Sequence, residues 1–360
     1  MEQHNGSRME IPAVSLIIAV YNVKEYLERC MNSLLNQTLK NIEYILVDDG
    51  STDGSEILCD AYAKGDSRIT VIHKQNAGLG MARNTGLKHA RGRYVGFIDS
   101  DDYVLPEMFE VLYRAAEEEQ ADLVLSGARI IGGSYFEESQ KTEEKYCFRT
   151  KETFSGQNGR EKLALGMAGS LPGEKEDSRY GFSVWKNLYR RDIIEKEGLA
   201  FVSERDIISE DIIFNLDFIS HISCAAGIPG AYYCYCRNGE SLSKKFRPDR
   251  WQQNKKLVAE IRRKLDGMGL GEESALYLAR RMQAYGRLAV VQEILHGSGR
   301  DKILDILSDP ELTEGNSGRI WVGLVQDDGS LQWQDNPYVV NDGTHYAYSP
   351  HLVFGITLKP

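Results

Sequence analysis

The chain has 360 residues, a formal net charge of −10 and 42% hydrophobic residues, enough for one large domain with an appendage or two modest ones. The acidic balance excludes a dedicated nucleic-acid binder, because phosphate recognition needs a positive surface and Lys and Arg here form only short clusters such as Arg190-Arg191 and Arg262-Arg263-Lys264. No apolar stretch approaches the roughly 20 residues of a membrane-spanning helix, and Met1 to Glu10 lacks the apolar core of a secretion signal, so a cytoplasmic protein is expected, with peripheral association at the inner face of the cell membrane left open.

In chain order, Val14 to Val20 is a nearly continuous apolar run, the mark of a strand buried on both faces. Asn22 is placed to cap the next helix, in which Val23, Tyr26, Leu27, Cys30, Leu34 and Leu35 recur at helical spacing. Strands follow at Tyr44 to Val47, Ile69 to His73, Tyr94 to Ile98 and Asp122 to Ser126. Helices separate them at Ser55 to Ala63, Leu79 to His89 and Pro106 to Glu119. This alternation predicts an α/β architecture, a Rossmann-like, doubly wound, mostly parallel sheet. Residues 130–181 are polar and weakly patterned, with a short helix near Arg160 to Met167. Helices are then expected at Ser183 to Arg191 and Ser209 to Ile219, and a strand at Ala231 to Cys236. From Trp251 to Leu307 the pattern is helical, with Leu276, Met282, Tyr285, Leu288, Ala289, Ile294 and Leu295 on one wide apolar face. Beyond Pro310 the chain is poor in charge and cut by turn signals such as Asp328-Gly329 and Asn336-Pro337, which predicts short strands. The expected divisions are residues 1–240, a helical subdomain over 241–310 and a β-rich tail over 311–360.

The six cysteines are Cys30, Cys59, Cys147, Cys224, Cys234 and Cys236. No second Cys/His pair stands at zinc-site spacing, so Cys234 and Cys236 read as half-buried thiols on one side of a strand.

Two acidic clusters carry the chemistry. Asp48-Asp49-Gly50-Ser51 and Asp99-Ser100-Asp101-Asp102 each end an apolar strand. Ligands of open α/β sheets bind at that carboxyl edge. Carboxylates beside a Val/Ile/Leu core need a cation, hydrogen-bond donors or a helix to cap, since burying an unpaired charge is costly.

Val14 to Asn22, Ser33-Leu34-Leu35-Asn36-Gln37-Thr38, Val47 to Ser55, Asn76-Ala77-Gly78-Leu79 with Ala82-Arg83-Asn84, and Phe97 to Asp102 together resemble a family 2 glycosyltransferase of the bacterial exopolysaccharide or capsule type. The likeness is clear to about residue 240 and absent from the tail. It implies a GT-A fold over residues 1–240, an inverting mechanism, a UDP-sugar donor, a glycan or lipid-linked acceptor, and Mn²⁺ or Mg²⁺ as cofactor. The donor nucleotide would contact Ala19, Tyr21, Asn22, Asp49, Asn76, Arg83, Asp99 and Ser100. Tyr21 would stack on the base and Asp49 would accept the uracil imino proton, with Asp48 ranked below it. Asp99, Asp101 and Asp102 would hold the metal, whose hard-cation preference for carboxylate and phosphate oxygens suits a diphosphate leaving group. Glu210-Asp211 resembles the family's acidic pair. Asp211 would be the base that deprotonates the acceptor hydroxyl, with Glu210 as fallback.

Bland roles stand beside each of these: helix capping for Asp49, a salt-bridged surface group for Arg83, helix-dipole compensation for Glu210 and Asp211. Trp185, in Trp185-Lys186-Asn187-Leu188-Tyr189, would wall the acceptor site or pack in the core. The family has Lys and Asn in the other order, which leaves Lys186 without a transferable role, and it usually has proline at Ala19. Arg237, Lys244, Lys245 and Arg247 would close over the pyrophosphate or, the commoner case, form a solvated basic segment. Arg250-Trp251 resembles an element of processive synthases, discounted because Arg247 replaces its glutamine. A dinucleotide oxidoreductase is disfavoured because Tyr21-Asn22-Val23-Lys24 follows the first strand in place of a Gly-rich phosphate turn. The rival of another class is a catalytically silent fold that binds a nucleotide sugar or a protein.

Overall fold

The computed structural model describes residues 11–132, 142–145, 148–171, 174, 176–237, 246–298, 300–313, 319–325, 331–333, 346–349 and 352–357. Cys147, Lys244 and Lys245 lie outside the described residues. Two compact units emerge from the chain's own contacts.

The first unit, drawn from residues 1–131, 142–163 and 182–236, is built on a large mixed sheet. Its elements are β1 (Val14–Val20), α1 (Lys24–Leu35), β2 (Ile42–Asp48), α2 (Ser55–Gly65), β3 (Ile69–His73), α3 (Leu79–Leu87), β4 (Tyr94–Asp99), β5 (Tyr103–Val104), α4 (Met108–Glu118), β6 (Leu123–Ile131), β7 (Thr142–Lys145), β8 (Glu152–Ser155), α5 (Gly156–Ala168), β9 (Asn187–Arg190), α6 (Arg191–Lys196), α7 (Glu210–His221) and β10 (Cys224–Cys236). Helix α5 runs on into the second unit. Strand order is β3-β2-β1-β4-β9-β6-β10-β5, with β7 added on β6 and β8 on β10. The β3-β2-β1-β4 block is parallel, as is β6 with β10; β9 runs antiparallel between them. Every residue of β1 and β2 is buried, as their unbroken apolar runs require.

Helix α1 buries Leu27, Cys30, Met31 and Leu34, one stripe at helical spacing. Helix α3 buries a small-residue face of Gly80, Ala82 and Gly86 together with Arg83. A Cβ on Gly86 would stand 2.4 Å from Ile17 Cγ2, so α3 lies against β1 at a distance no side chain permits.

The structure corrects three local expectations. Residues 183–191 are not a helix but a single 3₁₀ turn, Val184–Lys186, followed by β9. A short apolar run fits a buried strand as well as a helix, and hydrogen bonding to both β4 and β6 decides the matter. Asn22 does not cap α1, whose cap residue is Val23. The wide apolar face expected of the C-terminal helices is narrower, because Leu276, Leu288 and Leu295 are exposed while Leu278, Met282, Ala289 and Val290 are buried.

The second unit comprises residues 132–141, 164–181 and 237–360. It contains α8 (Arg250–Gly267) and α9 (Gly271–Leu295), packed together, and α10 (Arg300–Leu307) and α11 (Pro310–Thr313), both against α9. Arg281 on α9 reaches the carbonyls of Met167 and Ala168, satisfying acceptors that a helix C-terminus leaves open. Four further strands, β11 (Arg319–Val325), β12 (Leu331–Trp333), β13 (Tyr346–Ser349) and β14 (Leu352–Thr357), make an antiparallel sheet in the order β12-β11-β14-β13. Among the described residues no helix is long and apolar enough to cross a membrane.

Candidate active site

Register places the functional loops. Ala19 pairs with Val47 on one side and Asp99 on the other, so the chain leaves β1, β2 and β4 at one edge of the sheet. Tyr21 emerges there, 51% exposed, with its ring free of core packing. Asn22 follows at φ 51°, in the left-handed region.

The loop after β2 does structural work that its motif does not announce. The N–H groups of Asn22, Val23 and Lys24 donate to Ser51 Oγ, Ser55 Oγ and Asp53 Oδ2 at 3.1, 3.0 and 2.9 Å. The first turn of α1 is therefore capped from a distant segment, satisfying donors that every helix start leaves open. Asn22 Oδ1 accepts in return from Thr52 N–H at 2.8 Å. Asp48 accepts from Ser51 N–H and pairs with His73 Nδ1 at 2.8 Å.

Asp49 is 3% exposed and receives Lys74 Nζ at 2.5 Å and the N–H groups of Ala77 and Gly78 at 2.8–3.1 Å. A carboxylate offers about four acceptor positions, and these contacts occupy nearly all of them. Asp49 thus anchors the turn ahead of α3, and any ligand donor there has to share with Lys74. Asn76, exposed in that turn, accepts from Arg205, and Asn84 exchanges both amide contacts with the Phe201 backbone at 2.8 Å, which makes it a structural pin.

The four residues after β4 diverge in role. Ser100 is buried and its hydroxyl donates to Ala19 O at 2.7 Å, so it ties two strand ends together. Asp102 is a correction to the expected metal set. It is fully buried, and its two oxygens accept from Tyr233 Oη at 2.9 Å and Cys236 N–H at 2.7 Å, away from the sheet edge. Burial, then the charges of Asp99 and Asp101, pushes its carboxyl well above the usual range. Asp101 is half-buried, and its carbonyl takes Arg29 at 2.6 Å. Asp99 Oδ1 accepts from Arg83 at 2.8 Å, while its second oxygen has no partner among the described residues. Asp99 and Asp101 remain the pair whose hard carboxylate oxygens suit a divalent cation.

Arg83 is the centre of the arrangement. Its guanidinium, only 2% exposed, binds Asp99 from β4 and both Glu210 and Asp211 from the start of α7, at 2.8, 2.8 and 2.6 Å. Phe201 lies 5.2 Å from it. The expectation of a donor-contacting Arg83 is therefore corrected: the side chain is sealed and committed to carboxylates. One buried cation among three acids cannot balance them all. Burial, followed by the charge of Asp211, raises Glu210 to about 8, so Glu210 holds its proton near neutrality. Burial also raises Asp211, opposed by Arg83. Asp211 Oδ2 accepts from Val184 N–H at 3.1 Å, which fixes the carboxylate's orientation. Trp185, next to that amide, stacks on Tyr233.

The structure thus gathers Asp99, Arg83, Glu210 and Asp211 into one ionic cluster and hangs Asp49 on the turn that begins α3. Arg237 and Arg247 belong to the second unit. Four participants escaped the sequence reading. Lys74 stands at a strand end like any surface lysine, and Glu204, which accepts from Gly80 N–H at 3.1 Å at the start of α3, sits in a patternless loop. Phe201 and Tyr233 read as core aromatics. Only their long-range partners distinguish them.

Comparison with known proteins bears on the family and the fold. Residues 15–170 match the model of the family described as glycosyl transferase family 2. Over 234 residues, 65% of this chain, it is 39% identical to the uncharacterized glycosyltransferase EpsJ of Bacillus subtilis, and over 193 residues, 54% of the chain, 41% identical to the putative glycosyltransferase EpsH of the same organism. The matches cover 63% and 51% of those proteins, less than two thirds of either. Among solved structures, Staphylococcus aureus TarS 1-349 in complex with UDP-GlcNAc superposes with a TM-score of 0.56 at 21% identity, covering 90% of this chain and 97% of that one.

Proposed function

The chain belongs to glycosyl transferase family 2 and has its GT-A fold, and from that premise we propose a metal-dependent, inverting transfer of a hexosyl or N-acetylhexosaminyl unit from a UDP-sugar to a hydroxyl of a glycan, lipid-linked at the inner face of the membrane, in cell-surface polysaccharide synthesis. The UDP-GlcNAc held by TarS supports the choice of a uridine donor. Residues 14–236 supply every group used below.

The observation that carries the reading is the shared guanidinium. Through Arg83, the carboxylate that ends β4 and the carboxylate that starts α7 are held on one buried cation. A displacement needs those two functions side by side, one at the leaving group and one at the nucleophile.

Tyr21 offers its exposed ring to the uracil base, and the imino N–H shares Asp49 with Lys74. Asp99 and Asp101 would hold Mn²⁺ or Mg²⁺, which neutralises charge on the departing diphosphate. Asp211, oriented by Val184 N–H and Arg83, accepts the acceptor hydroxyl proton as that oxygen bonds to the anomeric carbon. The bond from that carbon to the β-phosphate oxygen breaks with its electron pair leaving on UDP, so configuration inverts. Glu210, protonated, is left out of base catalysis and dilutes the negative charge around Arg83.

Transfer and slow donor hydrolysis with Mn²⁺ across a panel of UDP-sugars test the proposal. A silent nucleotide-sugar binder, the alternative, would show a donor-dependent thermal shift and no release of UDP.

A further inference from the structure

We infer that Arg29 is a positioning residue for the proposed metal pair: from α1 it fixes the turn that carries Asp101, and so sets how the Asp99 and Asp101 carboxylates are presented together. This rests on the transfer reading above, which makes those two acids the ligands.

An exposed arginine on a helix is ordinarily a solvated group. Arg29 differs in the series it belongs to. Arg29 and Ser33 lie one turn apart on one flank of α1, and Gln37, just past the end of the helix, continues the same four-residue spacing. Each of the three reaches backbone of the segment that follows β4. Gln37 is buried, donates through Nε2 to Leu105 O at 2.8 Å and accepts at Oε1 from Phe109 N–H at 3.2 Å. Ser33 Oγ accepts from Val104 N–H at 3.2 Å. Arg29 Nη2 donates to Asp101 O at 2.6 Å. The polar series thus runs from the core out to the sheet edge, and its contacts step back along the segment toward β4.

The Arg29 side chain is itself held. Its guanidinium lies 5.8 Å from the ring of Tyr26, on the preceding turn of α1, and 5.4 Å from the ring of Tyr103, two residues past Asp101. Cations favour aromatic faces, so two tyrosines restrict a long side chain that would otherwise sweep through solvent. The neighbours of Asp101 are fastened by buried contacts, Ser100 to β1 and Asp102 to β10. Arg29 supplies the exposed anchor of the same turn. Because the start of α1 is pinned to the loop after β2, the helix ties the two acidic loops to one another.

The sign of the effect on a bound cation separates positioning from charge. A positive group beside a cation site repels the cation, so deleting a mere charge would tighten metal binding. Losing a group that orients a ligand weakens it, by about 10–100-fold for partners of this kind.

Mn²⁺ titration by electron paramagnetic resonance, on the full chain with UDP, reads that sign. Arg29→Met should bind Mn²⁺ about tenfold more weakly than wild type. Arg29→Lys should recover part of the loss, since an ammonium reaches one carbonyl but does not lie flat on two rings. The thermal shift with UDP alone should be the same in all three proteins. Hydrogen exchange on the metal-free chain gives a second readout: amides of residues 99–103 should exchange faster in Arg29→Met, with those of β1 unchanged. Mn²⁺ affinity equal to wild type or tighter in Arg29→Met, or unaltered exchange at 99–103, overturns the inference. Asp101→Ala separates the two proposals. If it leaves Mn²⁺ affinity at the wild-type level, the metal assignment falls and exchange at 99–103 decides for or against the hold of Arg29. If it abolishes Mn²⁺ binding while Arg29→Met leaves binding unaltered, the metal assignment stands and the positioning role falls.

Discussion

Arg83 and Asp211 are joined at 2.6 Å by a guanidinium nitrogen that also carries Glu210, while the second terminal nitrogen carries Asp99. Removing the cation leaves the buried Glu210 and the half-buried Asp99 and Asp211 around an empty centre. Breaking a buried pair in this way costs about 3–5 kcal/mol. Arg83→Met should therefore lower the melting temperature strongly and abolish turnover. Arg83→Lys keeps the charge but not the fork that spans two elements, so it should fold while turnover falls by ~10²-fold, the scale of an ångström's misplacement. Calorimetry and UDP release check both.

Asp101→Ala should do the reverse. The residue is half-buried at the sheet edge, so the fold should melt within a degree or two of wild type. Turnover should fall by more than ~10²-fold, the scale of losing one transition-state stabiliser. Mn²⁺ titration by electron paramagnetic resonance gives an independent readout; unchanged metal affinity would refute the ligand role.

Tyr233→Phe isolates the hydroxyl. It strips one of two donors from the buried Asp102 carboxyl, a loss of about 1–3 kcal/mol. The expected outcome is a lower melting temperature with the Trp185 stack retained, read by thermal denaturation and by tryptophan fluorescence.

Glu210→Gln reports on pH. The folded carboxyl titrates at about 8, far above its unfolded value near 4.3. The unfolded chain releases this proton first, so the contribution is fully present below the unfolded value and is lost as pH rises through the folded one. Glutamine imitates the protonated form. The variant should match wild type in melting temperature near pH 4, draw ahead as pH rises, and exceed it most above pH 8. A constant offset across that range would contradict the assignment.

The parallel half of the sheet was legible because its strands are buried on both faces and announce themselves as unbroken apolar runs. Strand β9 was not. Residues Val184 to Tyr189 pack into the interior whichever structure they adopt, and only the edges of β4 and β6 make them a strand. At the site, the acids after β2 and β4 and at the start of α7 stood out by type and position. Their division of labour did not. Asp102 faces inward because Tyr233 and Cys236, far along the chain, supply its donors, whereas Asp101 is half-buried. Arg83 reads as a donor contact, with a salt-bridged surface role beside it, and its commitment to carboxylates was hidden for the same reason: its three partners come from two other elements. The capping of α1 by Ser51, Asp53 and Ser55 was likewise hidden, since it crosses between loops.

Gly86 gives this cluster its tolerance. Its missing side chain lets α3 lie directly on Ile17, and Arg83 rides on the same helix, one turn earlier. A lone methyl group at position 86 would lift the helix from the sheet and draw the guanidinium outward, loosening its hold on acids that the methyl never touches. The spacing of the clustered acids is thus calibrated on the opposite flank of their own scaffold, where substitutions would look harmless in any inventory of the cluster's residues.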